Sequence, residues 1–322
     1  MSDGIVKILD GNTFVVSDSK GDIEASATDP TGLFSFDTRF LSKWVLTIDG
    51  EQLNALSTDD INYFETRFFL VPGTGTVYVD SKLSVIRQRA VDEGFHEELT
   101  ILNHDEQPVN LTVRFDAACD FADLFEVKDA LKKKVTYGAR VENGTLTLSY
   151  ERDTFERETV ISTGSPAKVD KTGLTFKVSI KPHGHWSTTI DVATAHLGWS
   201  ELRKRPKRAR NGSGRATMEA GLERWLNAAP RIECDWEPLL TTYRRSLVDL
   251  AALRFSPVTA GKRSLPAAGL PWFMTMFGRD SIFTSLQALP FTPELAATTL
   301  RELGMRQGTR VDDFRDERAR VA

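Results

Sequence analysis

The residues best placed to do chemistry stand in Leu265 to Thr284, LPAAGLPWFMTMFGRDSIFT. Pro266, Gly269, Pro271 and Gly278 interrupt a run of Trp272, Phe273, Met274, Met276 and Phe277, and the triplet Arg279-Asp280-Ser281 follows. A carboxylate and a guanidinium set in an aromatic wall suit a polyol such as a sugar. Rings stack on apolar C–H faces, and fixed charges hold hydroxyl groups. Asp280 would accept from two hydroxyls, Arg279 would donate to one, and their mutual pairing would fix both. Spacing alone leaves a second reading open, in which Asp280 and Ser281 cap the next helix while Arg279 pairs with Asp280 locally.

Presenting such groups requires a loop between helices. The aromatic stretch is too irregular for a strand and too broken by Gly and Pro for a helix. A helix is expected to start after it, with Ile282, Phe283, Leu286 and Leu289 at helical spacing. Before it, Thr217 to Asn227 reads as a short helix with Met218, Leu222, Trp225 and Leu226 on one side. Asp235 to Leu253 gives a stronger stripe of Trp236, Leu239, Leu240, Tyr243, Leu247, Leu250 and Ala251, with Asp235 as the expected N-cap. After Pro290, Pro293 to Met305 reads as a further helix, closed by Gly304 or Gly308.

Residues 1 to about 198 read as all-β. Asp10-Gly11-Asn12 separates two apolar runs as a hairpin turn would, and Asp49-Gly50 and Asn143-Gly144 are further turns. Pro108 to Asp116 alternates cleanly, with Val109, Leu111, Val113 and Phe115 on one face. Strands are also expected at Tyr63–Val71, Gly75–Val79, Leu83–Ala90, Phe95–Asn103 and Val135–Val141, and on to His185–Val192. Ser17 to Gly32 reads as a surface loop. This series predicts a large antiparallel β-sandwich. Trp199 to Asn211 is strongly basic and reads as a solvated linker.

The chain has 322 residues, a formal net charge of −4, 40% hydrophobic and 27% charged residues. That is ordinary globular composition, and it points neither to nucleic acid nor to an anionic membrane surface. No apolar run approaches the roughly 18 residues of a membrane span. The N-terminus lacks the pattern of a signal peptide. Two cysteines, Cys119 and Cys234, suit a reducing, cytoplasmic setting and read as small hydrophobes. His183 and His185 alternate beside Trp186 with no third ligand nearby, so no metal is expected. Glu97 and Glu98 share a strand, where they would be catalytic carboxylates only on another fold. No phosphate-binding glycine loop and no Ser/His/Asp motif is present.

The layout as a whole resembles bacterial amylo-α-1,6-glucosidases, which are glycogen-debranching-type glycosidases. The resemblance rests on LFSFDTRFLSKW and FADLFEVKDA in the first half and GLPWFMTMFGRDSIFTSLQAL in the second. It implies an N-terminal β-sandwich over 1–198, a basic linker over 199–214, and over 215–322 the first helices of an (α/α)6 toroid. It also implies that Arg279 and Asp280 bind hydroxyls of a terminal glucosyl unit of an α-glucan, that Trp272 and Phe273 shape that subsite, and that no cofactor is used. Asp37-Thr38-Arg39 would be either a contact on the sugar side or a buried structural ion pair.

Glycoside hydrolysis needs two carboxyl groups, ~6.5–9.5 Å apart for inversion or ~5 Å for retention. Asp235, Glu237, Asp249, Asp280, Asp312, Asp313, Asp316 and Glu317 are candidates, and none stands in a context that assigns it as acid or base. The residues after Gly214 are too few for twelve helices, and Arg318 to Ala322 depart from the acidic Gly/Pro-containing loop of relatives. The sequence therefore reads as a truncated product or a piece of a longer chain, inactive alone and prone to self-association through unpartnered helices. The rival reading is a non-catalytic carbohydrate-binding or assembly module.

Overall fold

The computed structural model of the chain describes residues 4–26, 30–73, 82–92, 94–129, 137–152, 155–197, 213–261 and 263–308. It divides into two units, Met1–Arg215 and Ala216–Ala322. The described strands of the first unit are β1 Val6–Asp10, β2 Thr13–Ser17, β3 Ile23–Glu24, β4 Gly32–Ser35, β5 Thr38–Leu41, β6 Lys43–Ile48, β7 Glu51–Asn62, β8 Glu65–Pro72 and β9 Leu83–Val91. They continue as β10 Gly94–Asn103, β11 Val109–Ala118, β12 Tyr137–Glu142, β13 Thr145–Arg152, β14 Phe155–Thr163, β15 Lys168–Asp170, β16 Gly173–Ile180 and β17 His185–Leu197. The expected strand at Gly75–Val79 and the basic linker up to Gly212 lie outside the described residues.

Turn chemistry sets the register. Asp49 (φ 52°) and Gly50 (φ 86°) both occupy the left-handed region, as do Asn143 (φ 50°) and Gly144 (φ 73°). Two-residue turns of this kind match the twist of a hairpin, and they pair Ile48 with Glu51 and Glu142 with Thr145. β1, β2, β4 and β5 form a four-stranded sheet. The rest form one 13-stranded sheet in the order β12-β13-β14-β17-β10-β9-β8-β7-β6-β11-β16-β15, with β3 on β6.

The sandwich read from the sequence is therefore largely one antiparallel sheet, curled until it nearly closes. Its fold line is narrow: β6 and β7 share only Thr47↔Gln52 and Ile48↔Glu51. The Asp49-Gly50 hairpin carries the ladder from one layer to the other without a break. Period-2 alternation then fills the interior. Leu111, Val113 and Phe115 of β11 share one core with Trp44, Phe68, Leu99, Leu146 and Phe176.

That interior also holds four charged groups. Arg87 and Arg89 on β9 and Glu97 on β10 are all fully buried, on the same inward-facing positions as Val85, Leu99 and Ile101. Glu97 Oε1 accepts from Arg87 Nε at 2.8 Å, and its Oε2 accepts from Arg89 Nε at 2.8 Å and from Trp44 Nε1 at 3.2 Å. Asp22 Oδ1 takes Arg87 Nη1 at 2.6 Å and the amide of Leu46 at 3.1 Å. Phe115 lies under Arg87, and Phe68 and Phe95 lie under Arg89. Burial alone would raise the Glu97 carboxyl, but the two guanidinium groups hold it below its ordinary value.

This cluster corrects the reading of Ser17 to Gly32 as a surface loop. Asp18 accepts from the amides of Lys20 and Asp22, both at 2.8 Å, and closes a tight turn. Lys20 O then takes Arg87 Nη1, and Gly21 O takes Arg89 Nη2. Gly21 has φ +79°, and a Cβ there would meet the Phe68 ring at 2.8 Å. The turn is drawn inward because buried guanidinium groups require acceptors.

The second unit is helical, with α2 Ser213–Ala228, α3 Glu237–Ala252, α4 Gly278–Ala288 and α5 Pro293–Met305; the short α1, Leu124–Lys128, belongs to the first unit. α5 spans Pro293–Met305 as the sequence places it, but its C-cap is Arg306 with an ordinary negative φ, not Gly304 or Gly308. Asp235 is not the N-cap of α3: Trp236 holds that position without a side-chain bond, and Pro238 in the first turn sets the start. The α3 stripe is buried only at its end, at Leu247, Ala251 and Ala252, while Trp236 is 62% exposed.

Removing one member of the buried cluster leaves an unbalanced charge in the core. Glu97→Leu is expected to cost about 3–5 kcal/mol, read as a lower urea midpoint for the β unit. A milder pair lies on the outer face, where His96 Nδ1 meets Asp191 Oδ1 at 2.7 Å. The Asp191 hydrogen bond raises the His96 pKa above 6.5, against partial burial. The pair's stabilisation is thus complete below the unfolded value and lost as pH rises through the higher folded value. Asp191→Asn should flatten that slope in denaturation series across this pH window.

Candidate functional site

The groups singled out by the sequence surround the start of α4. The chain reaches them through a two-stranded ladder, β18 Arg254–Phe255 and β19 Leu265–Pro266, extended by Ala267 N donating to Leu253 O at 2.8 Å. Next, Gly269 and Phe273 bond each other in both directions, at 3.0 and 2.9 Å, around a cis Leu270–Pro271 peptide. Trp272 is half-buried at this tip, Phe273 is 41% exposed and Met274 is buried. Phe273 and Phe277 meet edge to face at 5.3 Å. One wall of aromatic surface thus stands open beside the helix start, with Met274 as its inward anchor.

α4 begins at Gly278, earlier than the apolar spacing suggests, so Arg279 and Asp280 occupy its first turn. Both are exposed. Neither pairs with the other or with another side chain among the described residues, which corrects the expectation of mutual pairing. The reason is geometric: consecutive helical residues point about 100° apart. The capping alternative does not hold either, because Phe277 is the N-cap and no side chain bonds to it. Asp280 in the first turn is nevertheless favoured by the positive end of the helix.

What positions the pair is Ser281. Its buried hydroxyl donates to Pro266 O at 2.8 Å and ties the helix start to β19. One turn on, Ser285 Oγ and Thr299 Oγ1 bond at 3.0 Å and join α4 to α5. Sequence reasoning missed this seam because it weighted apolar spacing, whereas the buried positions of α4 are Ser281, Ser285 and Ala288. The signal was present as small residues three and four apart.

The remaining candidates separate clearly. Glu97 belongs to the buried cluster, and Glu98 is exposed on the opposite face of its strand. Arg39 is buried, pairs with Asp120 and also donates to Thr31 O, so it is structural. Asp37 is exposed at the β4–β5 turn; partial desolvation and then the Asp123 carboxylate raise its pKa. His183 lies 3.6 Å from Glu106 in an exposed pair. No group of three metal-ligating side chains occurs among the described residues. Cys119 is largely buried, and burial pushes its thiol up to about 12, which makes it inert.

In the helical unit, Asp249 pairs with Arg245 along the surface of α3. Glu302 is buried between Thr259 Oγ1 and Arg306 Nη1, both at 2.6 Å. Asp312, Asp313, Asp316 and Glu317 lie outside the described residues. No helix among the described residues is long and apolar enough to cross a membrane.

Residues 8–191 match the family described as the N-terminal domain of (some) glycogen debranching enzymes. No curated protein matches the sequence. Among solved structures, a protein described as a kojibiose phosphorylase, from human microbiome, aligns with TM-score 0.36 and 10% identity, over 72% of this chain and 31% of that one. A polysaccharide lyase aligns with TM-score 0.31 and 10% identity, over 60% and 32%. A galactose mutarotase-like protein from Clostridium acetobutylicum aligns with TM-score 0.21 and 8% identity, over 60% and 79%. The chain thus spans under a third of the length of the first two.

Ser281→Ala would leave Pro266 O buried without its donor. The expected cost is about 1–3 kcal/mol, seen as faster hydrogen exchange at Ala267, Gly269 and Phe273.

Proposed function

Because this chain belongs to the family marked by the N-terminal domain of glycogen debranching enzymes, we propose that it serves α-glucan metabolism as part of a debranching-type glycoside hydrolase. The family is one of carbohydrate-active enzymes, and the match over residues 8–191 is the observation that carries the reading. On this reading the β unit is the N-terminal sandwich, the residues near 199–214 are a linker, and α2 to α5 are the opening helices of an (α/α)6 toroid.

Within those helices the site is the loop-to-α4 junction. Arg279 and Asp280 grip hydroxyls of a terminal glucosyl unit, and Phe273 and Trp272 offer the apolar face. Three features support this assignment. The two charged groups are free of protein partners among the described residues, so their hydrogen-bonding capacity is available to a ligand. The Phe273 ring is open to solvent and braced by Phe277. The Ser281 anchor fixes the helix start against β19.

The chemical step needs a general acid and a general base on opposite sides of the scissile bond. Asp249 and Glu302 are engaged by basic partners, and among the described residues no assignable acid/base pair stands beside Arg279. The chain is therefore proposed to hold sugar without cutting it.

Two measurements test this reading. Glucose release from a branched limit dextrin by the purified chain, above a blank without protein, would sink the claim of inactivity. Binding of a short α-1,6-branched oligosaccharide, followed by calorimetry, should weaken roughly 10–100-fold in Arg279→Ala or Asp280→Ala, the loss of one charge-assisted hydrogen bond. Unchanged affinity in both variants, or full binding by residues 1–198 alone, would move the sugar site to the β unit and favour a binding module.

A further inference from the structure

Gly278 is a glycine that the fold does not require. It is the first residue of α4 and its φ is negative, so no left-handed conformation calls for it. Gly269, earlier in the same stretch, does need that freedom, at φ +147°. Crowding does not call for a glycine at 278 either: a Cβ there would meet only Leu303 Cδ2, at an ordinary 3.8 Å. Glycine is also the poorest helix former after proline. With positive φ and tight packing both absent, the use left for a glycine is close approach of its backbone by another molecule. The direction of the missing side chain agrees. In an α-helix every Cα–Cβ bond leans toward the N-terminus, so a methyl group on the first helical residue would project off the start of α4. Gly278 is exposed there. On one side of it stands Phe277, whose ring meets the open Phe273 ring at 5.3 Å, and on the other stand the exposed Arg279 and Asp280.

Resting on the reading of this junction as the sugar site, we propose that Gly278 is a specificity-determining residue: its bare backbone lets the sugar ring lie against the first turn of α4, between the Phe273 ring and the charged pair. A methyl group at 278 would hold the ring away from the helix. Hydrogen bonds from hydroxyls to Arg279 and Asp280 need about 2.7–3.2 Å between heavy atoms, and they would be stretched. Helix stability is thus given up for access, a trade common at functional sites. Gly221 supplies the contrast. It also lies within a helix, α2, with negative φ and nothing within 4 Å of its Cβ position, but it stands outside the junction.

The test compares Gly278→Ala, Gly221→Ala and Arg279→Ala with the wild type in the full chain, by calorimetric titration with a short α-1,6-branched oligosaccharide and by thermal unfolding. Gly278→Ala should melt at or above the wild-type temperature, because alanine is the better helix former and restricts the unfolded chain. It should nevertheless bind roughly 10–100-fold more weakly, the scale of one methyl group too many in a pocket. Gly221→Ala should also melt at or above the wild-type temperature and keep the wild-type affinity. Wild-type affinity in Gly278→Ala, with Arg279→Ala weakened, would overturn the role of Gly278 and leave the functional reading standing. So would a loss of affinity that comes with a lower melting temperature, which would make Gly278 a structural residue, or an equal loss in Gly221→Ala. A wild type that binds no sugar, or an Arg279→Ala variant that binds as well as the wild type, would instead overturn the functional reading and the role of Gly278 with it.

Discussion

Four buried charges govern how the β unit can fold. Arg87, Arg89 and Glu97 occupy inward positions on neighbouring strands, where the alternation otherwise supplies Val, Leu and Ile. Two guanidinium groups cannot enter an apolar core unless acceptors follow them in. Glu97 supplies part of the requirement from the adjacent strand. Asp22 and two carbonyl groups of the turn before it supply further acceptors, and Arg89 Nη1 stays buried without one. The turn, β3, the Trp44 indole and the centre of the sheet are thereby fixed by one set of bonds. A one-residue slip of β9 would send both arginines to solvent and strand Glu97 inside. The cluster therefore specifies register more strongly than the hydrophobic pattern could alone.

The helical unit follows a different logic. Beside the buried Trp225, Leu247, Phe255, Leu265, Met274 and Leu295, the contacts around α4 and α5 run through small and polar groups: Ser281 to a strand carbonyl, Ser285 to Thr299, and Thr259 with Arg306 around Glu302. Such contacts allow close approach and fix orientation, but they bury little apolar surface. The large apolar side chains of α4 itself are turned outward, and the charged pair at its start is exposed as well. A rigid start to α4 and an apolar surface beyond it are thus two results of one packing choice.

Much of this was legible in the sequence. The Asp49-Gly50 and Asn143-Gly144 turns, the alternation of Val109 to Phe115 and the bounds of α5 follow from local rules, and the structure keeps them. What was not legible depends on distant partners. Nothing near Ser17 to Gly32 announces that arginines some 65 residues away will draw Asp22 inward. The continuity of the sheet across β6 and β7 rests on two residue pairs, too few to register as a pattern. At the candidate site, the aromatic loop and the Arg-Asp pair stood out by composition. Their geometry did not, because Ser281 and Ser285 look like solvent-facing residues until their acceptors are known.

The ends of the large sheet carry one more consequence. β12 is exposed along its length and bears Arg140 and Glu142, while β15 is three residues long with Lys168 and Asp170 at its ends. Charge on one free edge and brevity on the other discourage strand-to-strand polymerisation. A sheet this wide would otherwise be a template for fibrils. The β unit is thus guarded against adding strands from its neighbours.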